Sequence, residues 1–549
     1  MLKSSELVSP VSFPVAGSAS RPIVVTSDWA VAALLALVSA VPSLALWDRG
    51  SYLTGDSYQY LRAALTFANG QGLRDMSGNS FTVLTPLYPL IIGIVHRLIP
   101  TMDIENVARL VSLAGATTAV VAFYWLLRSR YSLRISFTAA LLFALLPLRV
   151  WSGFWALSEG LYLGLIMLGV AMLFRPQHRS WFRAALGGLL LGLAYLTRPE
   201  AILVVGAVTI LTFIKIHPGR KRALVILSGF LLVALPYHAW VYRETGSPSS
   251  GRLGPLLAQS QSLYEGKLSN VLLINQVRPD GSSVPQPGSE MTVLAVQKRY
   301  IFFAHTEIER LLYLLGPSLL VLILLIVGGI LCFSKNISRA VRGFQLVAAW
   351  PVVLASWLLF LPFLHIEDRY LLQATPAFLI WLVLIIVTIH KLVETKLRPG
   401  AKPLAAFVPL ALIAAFVLSY GYRLATQIPQ SDPSVLARST ARWLEAEKLS
   451  PAAILSQNPD LAFFANSQHR WMPAGEPADV MKYAQRNHAN YIYVSTQDVP
   501  TPLNDMLFGN GAQIPESLKL LHEESDGALR GRLFEVKSTN DAISSNLHL

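Results

Sequence analysis

Residues 29–46 read WAVAALLALVSAVPSLAL, and a few positions on, residues 54–60 read TGDSYQY. The first stretch carries no charge and is long enough to cross a hydrocarbon core, which takes about 17–25 apolar residues in a helix. The second puts Asp56 just beyond it, on what would be the first outer loop. Working outward, apolar runs recur at 105–127, 133–150, 155–174, 182–197, 200–216, 222–241, 310–333, 343–364, 370–390 and 403–421. With the first at 28–46, they predict a polytopic α-helical membrane protein of about eleven transmembrane helices.

The composition agrees. Of 549 residues, 53% are hydrophobic and 14% charged, where soluble domains carry charge on about a quarter of their residues. Mean hydropathy is +0.48. In a soluble chain a net charge of +13 would point to nucleic acid, but here Lys and Arg fall in short clusters between apolar runs. That is the pattern of cytoplasmic loops, so no nucleic-acid partner is expected. Cys332, the single cysteine, lies in an apolar run. It excludes a disulfide within the chain and reads as a small hydrophobe in a helix.

Arg128, Arg130 and Arg134 follow the second run, Arg175, Arg179 and Arg183 the fourth, and Lys215, Arg220, Lys221 and Arg222 the sixth. Lys335, Arg339 and Arg342 follow the eighth, and Lys391, Lys396, Arg398 and Lys402 the tenth. By the positive-inside rule the tail 1–27 is cytoplasmic and the carboxyl terminus outside. Ser39 to Ala45 resembles a signal-peptide cleavage segment, but a leader with only Lys3 and Arg21 is a poor n-region, so an uncleaved anchor is expected. The transmembrane domain, 28–423, carries outer loops at 47–104 and 242–309. In the first, 57–69 reads as a short helix and 86–92 as an interface-lying stretch. Beyond 424 a soluble α/β domain runs to 549, with helices expected at 434–448 and 477–487 and strands at 453–456, 491–495 and 532–537.

This topology gathers polar residues on one face. Leu196-Thr197-Arg198-Pro199-Glu200 and His365-Ile366-Glu367-Asp368-Arg369-Tyr370 are outward turns on the side of Asp56, as are Arg149, Glu159 and Arg243 at the ends of neighbouring runs. Short outer turns that are charged break the cytoplasmic bias and call for a reason beyond orientation. A carboxylate with several guanidiniums at the outer leaflet suits a lipid phosphate. No His-rich metal spacing, paired cysteine or Ser-His-Asp order occurs, so neither a metal nor another cofactor is expected.

In this order, the outer-loop Asp, Thr85-Pro86-Leu87-Tyr88-Pro89, the Thr197-Arg198-Pro199-Glu200 turn and the Asp368-Arg369-Tyr370 turn resemble the integral-membrane glycosyltransferases of the C superfamily. That family includes protein O-mannosyltransferases and lipid A aminoarabinose transferases. The resemblance covers roughly 28–422. It implies transfer of a sugar from a polyprenyl-phosphate donor to a glycan, lipid or protein acceptor on the outer face. Several relatives carry an Asp-Glu pair on the first loop, whereas Ser57 follows Asp56 here, which makes Asp56 a base first and a metal ligand second.

The chemistry stands without the family. A sugar on a lipid phosphate already has a good leaving group, so inversion needs a base for the acceptor, worth about 10²–10⁴ in rate, and cations for the departing phosphate. A retaining hydrolase would need two carboxylates about 5 Å apart, and the sequence offers no clear pair. Each residue also has a plainer reading. Asp56 can cap a helix with Gln59 as its box partner, and Glu200 can favour a helix's positive end. Arg369 and Tyr370 can anchor a helix at the headgroups, and Arg149, Glu159 and Arg243 can be structural. Gly188 to Gly192 reads as helix packing rather than a phosphate loop, because no Lys-Ser/Thr follows. The alternative function is a transporter or flippase of lipid-linked saccharide, which calls for charge near mid-span and an internal repeat.

Overall fold

A computed structural model describes residues 26–47, 53–174, 180–215, 219–247, 275–277, 283–285, 293–332, 367–427, 434–450, 452–498, 501–508 and 514–537. Among them the chain is mostly helical, and a five-stranded sheet follows the last apolar helix. The first apolar run is α1 (Thr26–Ala45). The loop after it folds into α2 (Gly55–Ala68) and α3 (Leu87–Leu98). Next comes α4 (Ile104–Arg128), capped by Asp103, whose carboxylate accepts from the amides of Glu105 at 3.0 Å and Asn106 at 3.3 Å. An acid there satisfies orphan donors at the positive end of a helix.

The expected run 133–150 divides into α5 (Leu133–Leu145) and α6 (Pro147–Ser152). Proline lacks an N–H and forces the residue before it out of the helical region, and Leu146 is indeed at ψ 124. Four apolar helices follow: α7 (Glu159–Phe174), α8 (Trp181–Tyr195), α9 (Ala201–Lys215) and α10 (Gly219–Thr245). Of the stretch 242–309, expected as a second outer loop, a short antiparallel pair is described, β1 (Asn275–Val277) and β2 (Ser283–Pro285). Then come α11 (Val293–Leu315), α12 (Ser318–Cys332), the short α13 (Asp368–Leu371), α14 (Thr375–Lys396) and α15 (Phe407–Thr426).

Five helices among the described residues are long and apolar enough to cross a membrane, and α11 with α12, bent by 101°, makes a sixth if counted as one span. The expected count of eleven is not reproduced. The run 343–364 lies outside the described residues, and α5, α7, α8 and α9 are apolar but short. A helix of 15 residues reaches only about 22 Å against a core of about 30 Å.

Small residues let these helices approach closely, which is how helices associate where lipid supplies no hydrophobic drive. A Cβ on Gly160 of α7 would lie 2.4 Å from the Ser112 carbonyl oxygen of α4, and one on Gly188 of α8 would lie 2.2 Å from that of Ile226 on α10. The elbow between α11 and α12 opens backbone carbonyls that lipid cannot satisfy. Side chains of α15 supply the donors: the Tyr420 hydroxyl to the Leu315 oxygen at 2.6 Å, and the Arg423 guanidinium to the Gly316 oxygen at 2.7 Å and to that of Tyr313.

The C-terminal domain begins with α16 (Val435–Ala446). Its sheet has the order β4-β3-β5-β7-β6, with β3 (Ala453–Ser456) parallel to β4 (Gln468–Trp471) and β5 (Tyr491–Ser495). The strand β7 (Leu529–Val536) is antiparallel to both β5 and β6 (Leu518–Asp526). Helices α17 (Asp460–Phe464), α18 (Pro477–Arg486) and α19 (Pro502–Phe508) connect them. Leu455, Ile492, Val494 and Phe534 form part of its core. The expected strands are present, and β4 and β6 join them.

Candidate active site

The helix α2 starts with a capping box made by Thr54 and Ser57: the Thr54 amide donates to the Ser57 hydroxyl at 3.1 Å, and the Ser57 amide to the Thr54 hydroxyl at 3.3 Å. The reading of Asp56 as the cap with Gln59 as its partner is thereby overturned. Ser57 is fully buried in this role, and Gln59 instead accepts from the Met76 amide at 3.2 Å. Asp56, relieved of capping, turns its carboxylate to Arg369, with Oδ2 3.1 Å from Nη1.

Arg369 sits in α13 and also pairs with Glu159, Nη1 to Oε1 at 3.6 Å, and with Glu367. Glu159 opens α7 and is 4% exposed. The same Oε1 accepts from Arg198, which also reaches Glu200 at 3.3 Å. Burial alone would lower the pKa of Arg198, but Glu200 and Glu159 outweigh it and hold it well above the usual arginine value. The Tyr370 ring lies beneath both guanidiniums, 5.3 Å from that of Arg198 and 5.4 Å from that of Arg369, in a cation–π arrangement. Glu159, Arg198, Glu200, Arg369 and Tyr370 line a narrow cleft with Tyr162, Leu163, Leu372 and Gln373, and Asp56 stands beside it through its pairing with Arg369.

Asp56, expected as catalytic, therefore meets two turns expected to bind substrate, Arg198 and Glu200 of the α8–α9 turn and Arg369 and Tyr370 of α13, with Glu159 between them. Arg149 and Arg243 do not line the cleft. Arg149 is fully buried, donating to the Ser39 hydroxyl at 2.6 Å, the Ser39 carbonyl at 2.8 Å and the Ala144 carbonyl, which ties α6 to α1 and α5. Arg243 is exposed in the last turn of α10. Tyr162, whose hydroxyl donates to Gln373, and Gln373 itself were not expected. The only signal was their position near the N-terminal ends of α7 and α14. At the rim, Arg310 of α11 pairs with Asp368 at 3.1 Å.

Four carboxylates thus surround two guanidiniums, and two of them, Glu159 and Glu200, line the cleft, which is bounded partly by apolar side chains. Such a site offers an acceptor for a proton and planar forks matched to phosphate oxygens. Among the described residues, no donor reaches Glu159 Oε2, although it is buried. No group of three or more His, Cys, Asp or Glu there is arranged to hold a metal ion.

The helical architecture and this cleft define a class, a membrane-embedded bundle with an ion-paired cleft beside a small sheet domain. No family model matches the sequence, and no curated protein does. Solved structures do. ArnT from Cupriavidus metallidurans bound to undecaprenyl phosphate superposes with a TM-score of 0.56 over 93% of this chain and 98% of its own, at 13% identity. The Archaeoglobus fulgidus oligosaccharyltransferase, in complex with Zn and sulfate, gives 0.55 over 84% of this chain and 67% of its own, at 11% identity. At such identities the likeness is one of fold: this integral membrane protein shares the fold of ArnT and of that oligosaccharyltransferase.

Proposed function

We propose that the protein moves a sugar from a polyprenyl-phosphate donor to a glycan, lipid or protein acceptor on the extracytoplasmic face of the plasma membrane, with inversion. The observation that carries this reading is the 3.1 Å pairing of Asp56 with Arg369, a base beside a phosphate clamp. In this reading tail 1–27 is cytoplasmic, while loops 47–104 and 242–309 and domain 424–549 lie outside. The fold shared with ArnT, which was solved with undecaprenyl phosphate, supports the donor class.

Arg198 and Arg369 hold the donor phosphate, whose oxygens take over the guanidinium edge that Asp56 occupies. Charge on the leaving phosphate is then met by fixed cations that need no reorganisation. Asp56, released from Arg369, takes the acceptor hydroxyl's proton as that oxygen attacks the anomeric carbon from the face opposite the phosphate. Glu159 Oε2 accepts from a hydroxyl of the sugar, and Tyr370 backs the two guanidiniums. The test is turnover of a panel of polyprenyl-phosphate sugars by the purified protein in lipid. Equal transfer by wild type and Asp56→Asn would remove Asp56 as the base, and unchanged donor affinity in Arg198→Ala would remove the phosphate role.

A further inference from the structure

We infer that the C-terminal sheet domain sets the position of Asp56, and that Phe463 and Phe464 of α17 are the positioning residues through which it acts. The argument starts from helix geometry. Residues two apart on a helix point about 200° apart, so α2 can turn Asp56 to the cleft only while Tyr58 faces away from it. Tyr58 is 3% exposed and is gripped by the domain, with its ring 5.6 Å from that of Phe463 and 5.9 Å, edge-on, from that of Phe464.

The grip is itself anchored. The Arg438 guanidinium lies 4.2 Å from the centre of the Phe464 ring and pairs with Glu105, in the first turn of α4, at 2.7 Å. Two further contacts fix the same helix along its length. One turn on, Arg62 donates to Asn466 Oδ1 at 2.6 Å. Gln59 holds the Met76 amide, and the Met76 carbonyl in turn accepts from the amide of His469 on β4 at 2.9 Å. The clamp residues are placed differently: Arg198 bonds to Glu159 of α7 and to Glu200 of its own turn, and Arg369, apart from Asp56, is held by the same Glu159 and by Glu367. Loosening the domain's hold on α2 therefore displaces the base and leaves the phosphate clamp in place. Misplacing a reacting group by about 1 Å can cost about 100-fold in rate.

This inference rests on Asp56 being the base, so the experiment has two readouts on the full-length protein in lipid. In Phe463→Ala/Phe464→Ala, kcat should fall about 10–100-fold with the donor KM unchanged, and Phe463→Leu/Phe464→Leu should restore most of it. Hydrogen exchange should quicken along α2 and not along α7 or α8. If the alanine pair fails to accumulate, Arg62→Ala should move both readouts in the same direction. Parallel loss of kcat and donor affinity, or unaltered exchange along α2, would overturn the inference. If wild type transfers no sugar from any donor, the functional reading falls, and the exchange experiment alone decides whether the domain holds α2.

Discussion

Arg149, fully buried, and Arg369, partly buried, are both arginines near the ends of apolar helices, yet their partners differ in kind. Arg149 donates to a hydroxyl and two backbone carbonyls, groups that no ligand replaces without unfolding the junction. Arg369 is held by the carboxylates of Asp56, Glu159 and Glu367, and one anion can exchange for another. A guanidinium pinned by carbonyls joins helices, while one balanced by acids at a cleft can trade one anion for another.

The largest effect expected from breaking this contrast is at the base. Asp56→Asn keeps the shape of the cleft and should lower kcat about 10²–10⁴-fold, with donor KM little changed, as measured by initial rates over a donor series. At the clamp, Arg369→Ala removes charge-assisted bonds worth about 1.5–3 kcal/mol, so donor KM should rise about 10–100-fold. Arg369→Lys should recover only part, because an ammonium lacks the planar fork. A full rescue by lysine would mean that charge alone suffices. Arg149→Met should instead lower thermal stability by about 1–3 kcal/mol, for the acceptors left unpaired, with turnover per folded molecule at the wild-type level. A selective loss of donor affinity there would return Arg149 to the site.

The smallest effects sharpen the contrast from the sheet domain, whose buried ionisable groups exchange protons rather than ligands. Burial pushes the Asp498 carboxyl up to about 7, against the Ser495 amide that donates to it. Burial likewise takes the His469 imidazole down to about 3. Asp498 keeps its proton in the fold and releases it near 3.8 when unfolded, so its contribution is present at low pH and is lost as pH climbs from about 4 to about 7. His469 works in the other direction. Only the unfolded chain binds its proton between about 3 and 6.5, so stability rises with pH across that window. The two slopes oppose each other in wild type. His469→Gln should therefore lose stability from pH 4 to 7 and Asp498→Asn should gain it from pH 3 to 6.5, as read by hydrogen exchange of β3 and β5 amides. Identical profiles in all three proteins would contradict this.

Periodic and compositional features were legible in the sequence, because they repeat along the chain. Among the described residues the apolar runs are helical, and the expected strands 453–456 and 491–495 carry the bounds observed for β3 and β5. Lengths were less legible: Pro147 cuts one run in two, and the run at 310–333 falls across the elbow. In the cleft, residue types at turns pointed to Asp56, Arg198 and Arg369, but their pairing through Glu159 spans more than two hundred residues. Such contacts arise from helix packing, which no local pattern encodes. For the same reason no carboxylate pair was visible, although Asp56 and Glu159 share one nitrogen of Arg369. The capping role of Ser57 was local and went unseen because Gln59 offered a competing partner.

The elbow after Leu315 has a consequence for the architecture of the membrane face. Because α15 closes the opened carbonyls, the chain can change heading by 101° without showing bare peptide to lipid. The redirected helix α11 then carries Arg310 to Asp368, the neighbour of Arg369. One continuous stretch of chain is thus wall on one side of the corner and doorframe on the other, and Arg423 and Tyr420 are the joinery that keeps the frame square.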